Sequence, residues 1–290
     1  MAAAQEISQI AQQYQDEFQR NALETGELVT TTAKEAVSTV QKKVDEIAPT
    51  ALGYKDHAVG IITNFSEAKI NGKEIMGIML WASVLLIGCR IGALLAHFLL
   101  YPFVGLIFDG STALYLTAIF IPVYVHFKQS REPLSEEKSR FRLLGYAIAQ
   151  GLIVGYIQVD SFLLSQDPFA FLGLAVMGIA ALFLTPIFGG NRLNFLGAVA
   201  GSGFAVHFVL GLVLGQLGAI YLLMSILYSA VVFILLQYYL HAATSKNVAL
   251  LYMYYNFIAV IYIQLVFFYI FGYTKEDYKK YIASEAQNTK

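Results

Sequence analysis

From Ile75 to Tyr273 the chain carries almost no charge. Outside one loop, 128–142, the only charged residues in these roughly 200 positions are Arg90, Asp109, Asp160, Asp167, Arg192 and Lys246. A water-soluble fold spreads charge over its surface, and a stretch this long cannot be one buried core. Lipid must be its solvent. In lipid a backbone has to satisfy its own hydrogen bonds, which it does by coiling. The expected fold class is therefore all-α: a polytopic membrane bundle of about seven transmembrane helices with an N-terminal amphipathic helical arm.

Seven apolar segments can be placed, at 75–98, 104–126, 141–159, 169–187, 193–212, 218–239 and 249–273. Each approaches the roughly 20 residues that cross about 30 Å of hydrocarbon. The breaks fall at Tyr101-Pro102, the charged loop 128–140, 160–168, 189–192, the glycines Gly211, Gly215 and Gly218, and 245–247. The glycine break is the weakest, because the fifth and sixth segments otherwise form one apolar run. Three regions follow: an arm at 1–73 on the cytosolic side, a transmembrane domain at 74–273 and a polar tail at 274–290.

Lys and Arg set the orientation. Lys69, Lys73, Lys128, Arg131, Lys138, Arg140, Arg142, Arg192 and Lys246 all fall on one side of the segment map. The loops near Asp109, Asp160–Asp167 and Gly215 carry no Lys or Arg. The first side is expected to be cytosolic. Seven crossings would place the tail, with Lys275, Lys279 and Lys280, on the other side, against the trend of the charges. The sequon Asn64-Phe65-Ser66 faces the cytosol on this map and is expected to stay unglycosylated.

The arm carries eleven acids and seven bases over 1–74. Apolar residues step by four, three, four and three through Ala33, Val37, Val40, Val44 and Ile47, a heptad-like seam for a membrane surface or a partner helix, or equally a loosely ordered helical tail. Thr30–Thr32 interrupts the helix and Pro49 ends it. The acids argue against a mitochondrial transit peptide, and the lack of an early apolar run argues against a cleaved signal.

Composition excludes several classes. The net charge is −1, so no basic face suggests nucleic acid. Cys89 is the single cysteine, which excludes a disulfide framework. No zinc-ligand spacing, paired carboxylate or nucleophile–base arrangement is visible, and an enzyme is not expected.

Ionisable and amide side chains in the apolar segments are the functional candidates. Arg90 lies within the first segment and needs a partner, either as a gate or as a packing contact. His97 and His207 are candidates for proton sensing, although a lone histidine is more often a packing residue. Gln237 and Asn256 are candidates for a polar gate or for interhelical glue, with Gln264 beside them in the last segment. Asp109, Asp160 and Asp167 could draw cations to a pore mouth, or they are solvated loop acids. Gly151-x-x-x-Gly155, Gly197-x-x-x-Gly201 and Gly211-x-x-x-Gly215 permit close helix contact.

Several runs resemble the Bax inhibitor-1 (transmembrane Bax-inhibitor-motif) family. Glu136-Glu137-Lys138-Ser139-Arg140 with Arg142-Leu143-Leu144-Gly145-Tyr146-Ala147 resembles the approach to that family's third helix, and Gly151-Leu152-Ile153-Val154-Gly155 resembles its interior. Ala175-Val176-Met177-Gly178-Ile179-Ala180 and Asn191-Arg192-Leu193-Asn194-Phe195-Leu196-Gly197 resemble the fourth and fifth. Phe233-Ile234-Leu235-Leu236-Gln237 and Tyr254-Tyr255-Asn256-Phe257-Ile258 resemble the sixth and seventh. The resemblance spans about 75–273 and omits the arm. It implies a role in cell death or intracellular calcium, with Ca²⁺ as the ion any leak would carry. In that family paired acids of the last two helices form a pH-sensitive gate, and Gln237 and Asn256 stand in their place. An amide pair keeps the shape but neither carries charge nor titrates.

The expectation is thus a Bax-inhibitor-1-like multi-pass protein without the acid pair. The alternative is a membrane scaffold or assembly protein whose arm recruits a protein partner. A solute transporter is disfavoured, since no inverted repeat or broken helix is apparent. The bilayer is the expected partner in either case. The endoplasmic reticulum is the first expectation for its location, with mitochondrial or other internal membranes as alternatives.

Overall fold

The computed structural model describes residue 38 and residues 58–66, 69–100, 109–131, 136–159, 161–163, 166–188, 190–242 and 248–274. Most of the arm, its heptad-like seam included, lies outside the described residues, as do Asp160 and the tail beyond 274.

Among the described residues from 69 onward, eight helices build the bundle. α1, Gly72–Leu95, opens on Asn71, whose side-chain oxygen accepts from the Glu74 N–H while its side-chain amide donates to Glu74 Oε2 at 3.3 Å. A π-helical turn, Ala96–Leu100, follows it. α2, Gly110–Tyr115, and α3, Ile121–Arg131, are joined by a second π-helical turn, Leu116–Phe120. Then come α4, Glu136–Gln158, α5, Ala170–Phe188, α6, Arg192–Val213, α7, Ala219–Ala242, and α8, Val248–Phe271. Two short strands, β1 (Ser161–Phe162) and β2 (Tyr273–Thr274), pair antiparallel. Their pairing sets the end of α8 beside the end of α4.

Among the described residues, six spans are long and apolar enough to cross a membrane: Gly72–Phe98, Gly110–Arg131, Ala170–Phe188, Arg192–Val213, Ala219–Ala242 and Val248–Phe271. The count is one below the seven expected. The third expected segment is helical, as α4, but is not among the six. It opens on Glu136, Glu137, Lys138, Arg140 and Arg142 and carries Gln150 and Gln158 further on. It packs along α1, which also lies against α5 and α8 and is the central helix of the bundle.

The exposed surface is apolar, unlike that of a water-soluble domain, and a minority of the buried residues are polar. Phe98, Phe183, Ile187, Val213 and Tyr269 are exposed, while Gln129, Gln150, Arg192, His207, Gln237, Asn256 and Gln264 are buried. Water would penalise that surface heavily, whereas hydrocarbon penalises neither side of it.

Backbone contact fixes α1 to α4. A methyl group on Gly151 would strike the Cys89 main chain, and one on Gly155 would strike that of Ala93. The second expected glycine pair differs: a methyl on Gly197 or Gly201 meets nothing within 4 Å. The weak break after α6 is a Schellman turn. Gly215 takes a left-handed φ of 66°, the Gln216 N–H bonds the Gly211 carbonyl at 2.8 Å, and the Gly215 N–H bonds that of Leu212 at 3.2 Å.

The π turn before α3 has a local cause. Pro122 has no N–H, so the carbonyls four and five residues back, Ala118 and Thr117, lose their main-chain donors. The Ile121 N–H bonds the Leu116 carbonyl instead. Side chains from two other helices replace the lost donors: Tyr262 Oη donates to Ala118 at 2.6 Å and Gln150 Nε2 donates to Thr117 at 3.1 Å. In a membrane such replacement is what makes an interior proline tolerable.

Candidate functional site

Among the described residues, two polar assemblies built on arginines lie near opposite ends of the bundle. The first is built on Arg90, which sits in the last two turns of α1. Its Nη2 pairs with Asp167 Oδ2, in the segment leading into α5. Gln264 Nε2, from α8, donates to the same oxygen at 3.1 Å. One carboxylate therefore gathers a cation and an amide from two other helices. Ser83 Oγ adds a bond from α1 to the Phe171 carbonyl at 2.7 Å.

That geometry answers two of the sequence expectations. Arg90 has a partner, and the partner is one of the acids assigned to a cation mouth. With its charge matched by a guanidinium, Asp167 is poorly suited to drawing cations. Asp109 instead caps α2, accepting from the Thr112 N–H at 2.6 Å. Asp160 lies outside the described residues. The three acids are thus not shown as one ring.

The second assembly joins the root of the arm to the bundle. Residues 58–62 are helical, and Ile61 is buried. Gln237, wholly buried in α7, donates through Nε2 to the main-chain carbonyls of Ile62 at 3.0 Å and Asn64 at 3.4 Å. Its Oε1 accepts from Arg192 Nε at 2.5 Å, and its own main-chain carbonyl accepts from Arg192 Nη2 at 2.7 Å. Arg192 is buried as well, at the start of α6. A desolvated guanidinium is costly unless bonded, and here two bonds fix its plane.

An amide suits position 237 because it both accepts and donates. A carboxylate would bond Arg192 but would face the carbonyls of Ile62 and Asn64 with no proton to give. Asn256 is not joined to Gln237: its Nδ2 donates to the Tyr252 carbonyl within α8 at 2.7 Å. The expected gate pair is therefore two separate sites. His207 lies with its ring over Gly173 and edge-on to Tyr228 at 5.9 Å, and its carbonyl accepts from Tyr221 Oη at 2.7 Å.

Sequence reasoning missed the role of Arg192, which it counted only as an orienting charge. The available signal was its place in a helix's first turn, directly after the capping residue Asn191. Such an arginine is as close to the hydrocarbon as to the loop. The sequon asparagine is also engaged: Asn64 Oδ1 accepts from Ser66 N at 3.0 Å and from Ser66 Oγ at 2.6 Å. Among the described residues no group of three or more His, Cys, Asp and Glu is placed to hold a metal ion.

One family model, described as Interactor of ZYG-11, matches residues 1–274. The chain belongs to the Interactor of ZYG-11 family. No curated protein and no solved structure matches it. The match overturns the Bax inhibitor-1 resemblance, and with it the expected roles in cell death and calcium and the argument for the endoplasmic reticulum. The misleading runs were glycine-spaced, aromatic or basic-turn segments. Any bilayer-spanning helix draws on these few residue types, so such runs reflect the solvent more than descent. The resemblance also omitted the arm, which the Interactor of ZYG-11 match includes.

Proposed function

We propose that this chain is a membrane-embedded scaffold whose N-terminal arm recruits a ZYG-11-type protein. The observation that carries this reading is the extent of the family match, which runs through arm and bundle together over 1–274. The family's description names an interaction, and the arm is the long polar region available to make one outside lipid. Its heptad-like seam has the spacing that a partner helix requires. The bonds from Gln237 to the arm root support the same reading, because they hold the arm's exit point against the bundle. On this view the molecule works by binding rather than by catalysis.

The test compares the full chain in nanodiscs with a variant whose residues 1–57 are replaced by a Gly/Ser linker of equal length. Purified ZYG-11 is offered to both, and capture is measured. The full chain is expected to retain it and the linker variant to lose it. Equal capture by the two would move the contact to the bundle and end the arm reading.

A further inference from the structure

The arm-side end of the bundle holds a cavity apart from the Arg90 and Arg192 assemblies. It lies between the start of α1 and the ends of α5 and α7, with a volume of about 570 Å³. Lys69, Lys73, Glu74 and Tyr239 are among its polar lining residues, and Leu182, Pro186 and Leu240 form an apolar wall. The spans beginning at Gly72 and ending at Phe188 and Ala242 place it at the rim of the hydrocarbon. The neighbouring phase at that depth is phospholipid headgroup.

Charge selects among headgroups. A second cavity, of about 770 Å³, lies on the other side of the same helix start and shares Lys73. There Lys73 and Arg140 face Glu74 and Glu136, so the charges balance, and Arg140 is already bonded to Glu136 and stacked on Trp81. The first cavity holds Lys69 and Lys73 against Glu74 alone, a surplus of one positive charge, and Glu74 is engaged by Asn71. Among the described residues, neither lysine forms an ion pair.

We propose that the first cavity binds the headgroup of an anionic phospholipid. Lys69 and Lys73 hold the phosphate, and Leu182, Pro186 and Leu240 receive the first carbons of an acyl chain. Basic pockets between membrane helices on the cytosolic side are suited to such headgroups, and each lysine near the surface adds appreciably to the attraction. The apolar wall explains why the occupant is a lipid and not a free anion: it would leave no bond for a water-borne phosphate and would remain wet and unfilled around one.

The test uses the full chain in detergent, offered phosphatidylinositol 4-phosphate or phosphatidylcholine, with bound lipid read by native mass spectrometry. The anionic lipid is expected to be retained over phosphatidylcholine. Lys69→Gln and Lys73→Gln should each weaken retention by about five-fold, and the pair by about thirty-fold. Both lysines are exposed, so the glutamines should not disturb folding, and the double Lys→Arg variant should restore retention. Leu182→Trp should lower retention with every charge in place. Lys138 is exposed at the same end but outside the cavity. A loss from Lys138→Gln as large as from Lys73→Gln would mean diffuse attraction and overturn the site. Unchanged retention in the double glutamine variant, or displacement by inorganic phosphate at the lipid's own concentration, would overturn it equally.

Discussion

A buried side chain in this bundle is legible only when its hydrogen-bond partners are known, and Gln237 makes the point. Its amide gives both protons to arm carbonyls and takes one from Arg192. Gln237→Glu keeps the size and adds a counter-charge for Arg192, yet it removes the two donated bonds. Unmet carbonyls in a buried setting cost about 1–3 kcal/mol each, and the gained ion pair does nothing for them. The expected outcome is faster amide hydrogen exchange over 58–66, with little change in α8. Unchanged exchange there would show that the arm root is held by other contacts. Sequence singled out Gln237, Asn256 and Arg90 as polar groups needing an explanation, because charge and amides are rare in these segments. It could not say which residues they face. Partner choice depends on the rotation and depth of helices far apart in the chain, such as Gln237 and Ile62, and apolar periodicity around a lipid-exposed helix does not fix either.

Helix contacts follow the same division. The three small-residue spacings look alike in sequence, but only their surroundings distinguish a contact from an open face. Gly151 lies against the Cys89 main chain, whereas Gly197 has open space. Gly151→Leu should therefore force α1 and α4 apart and cost at least about 1–3 kcal/mol, while Gly197→Leu should change stability by no more than about 0.5 kcal/mol. Thermal unfolding in detergent would separate the two, and equal melting points would contradict the close α1–α4 contact. Pro122 offers a sharper case, because its effect was visible in principle: a proline in an apolar segment must orphan carbonyls behind it. What replaced the donors was not visible, since Gln150 and Tyr262 come from other helices. Tyr262→Phe should cost about 0.6–1.7 kcal/mol. In a Pro122→Ala background, where an N–H is available to Ala118 again, the same change should cost less. Equal costs in both backgrounds would deny that the hydroxyl substitutes for the missing amide. This is a double-mutant cycle across two elements, and it isolates the one bond in question.

At the scale of the whole molecule, the deciding quantity is which side of the bilayer each helix end occupies. The fold class followed from charge depletion alone, since no other solvent admits so long an uncharged chain. Family membership did not follow, because lipid imposes the same residue types on unrelated bundles. Orientation lies between these: the Lys and Arg bias sets it, and the alternation of helix ends must then be consistent around the whole bundle. The span Gly110–Arg131 gives a direct measurement, because it carries an exposed serine near each end, Ser111 and Ser130. Cys89 is buried, so the background thiol is shielded from reagents. A membrane-impermeant maleimide applied to sealed vesicles should label Ser130→Cys from the side that carries the arm and Ser111→Cys from the other. The bias predicts that the arm side is cytosolic, and Asn64, on that side, should then remain free of glycan. Labelling of both cysteines from one side would remove this segment as a crossing. It would also break the alternation, in which α4 crosses beside α1 as a further helix, that sets the Arg90–Asp167 assembly and the Arg192–Gln237 assembly at opposite ends of the bundle.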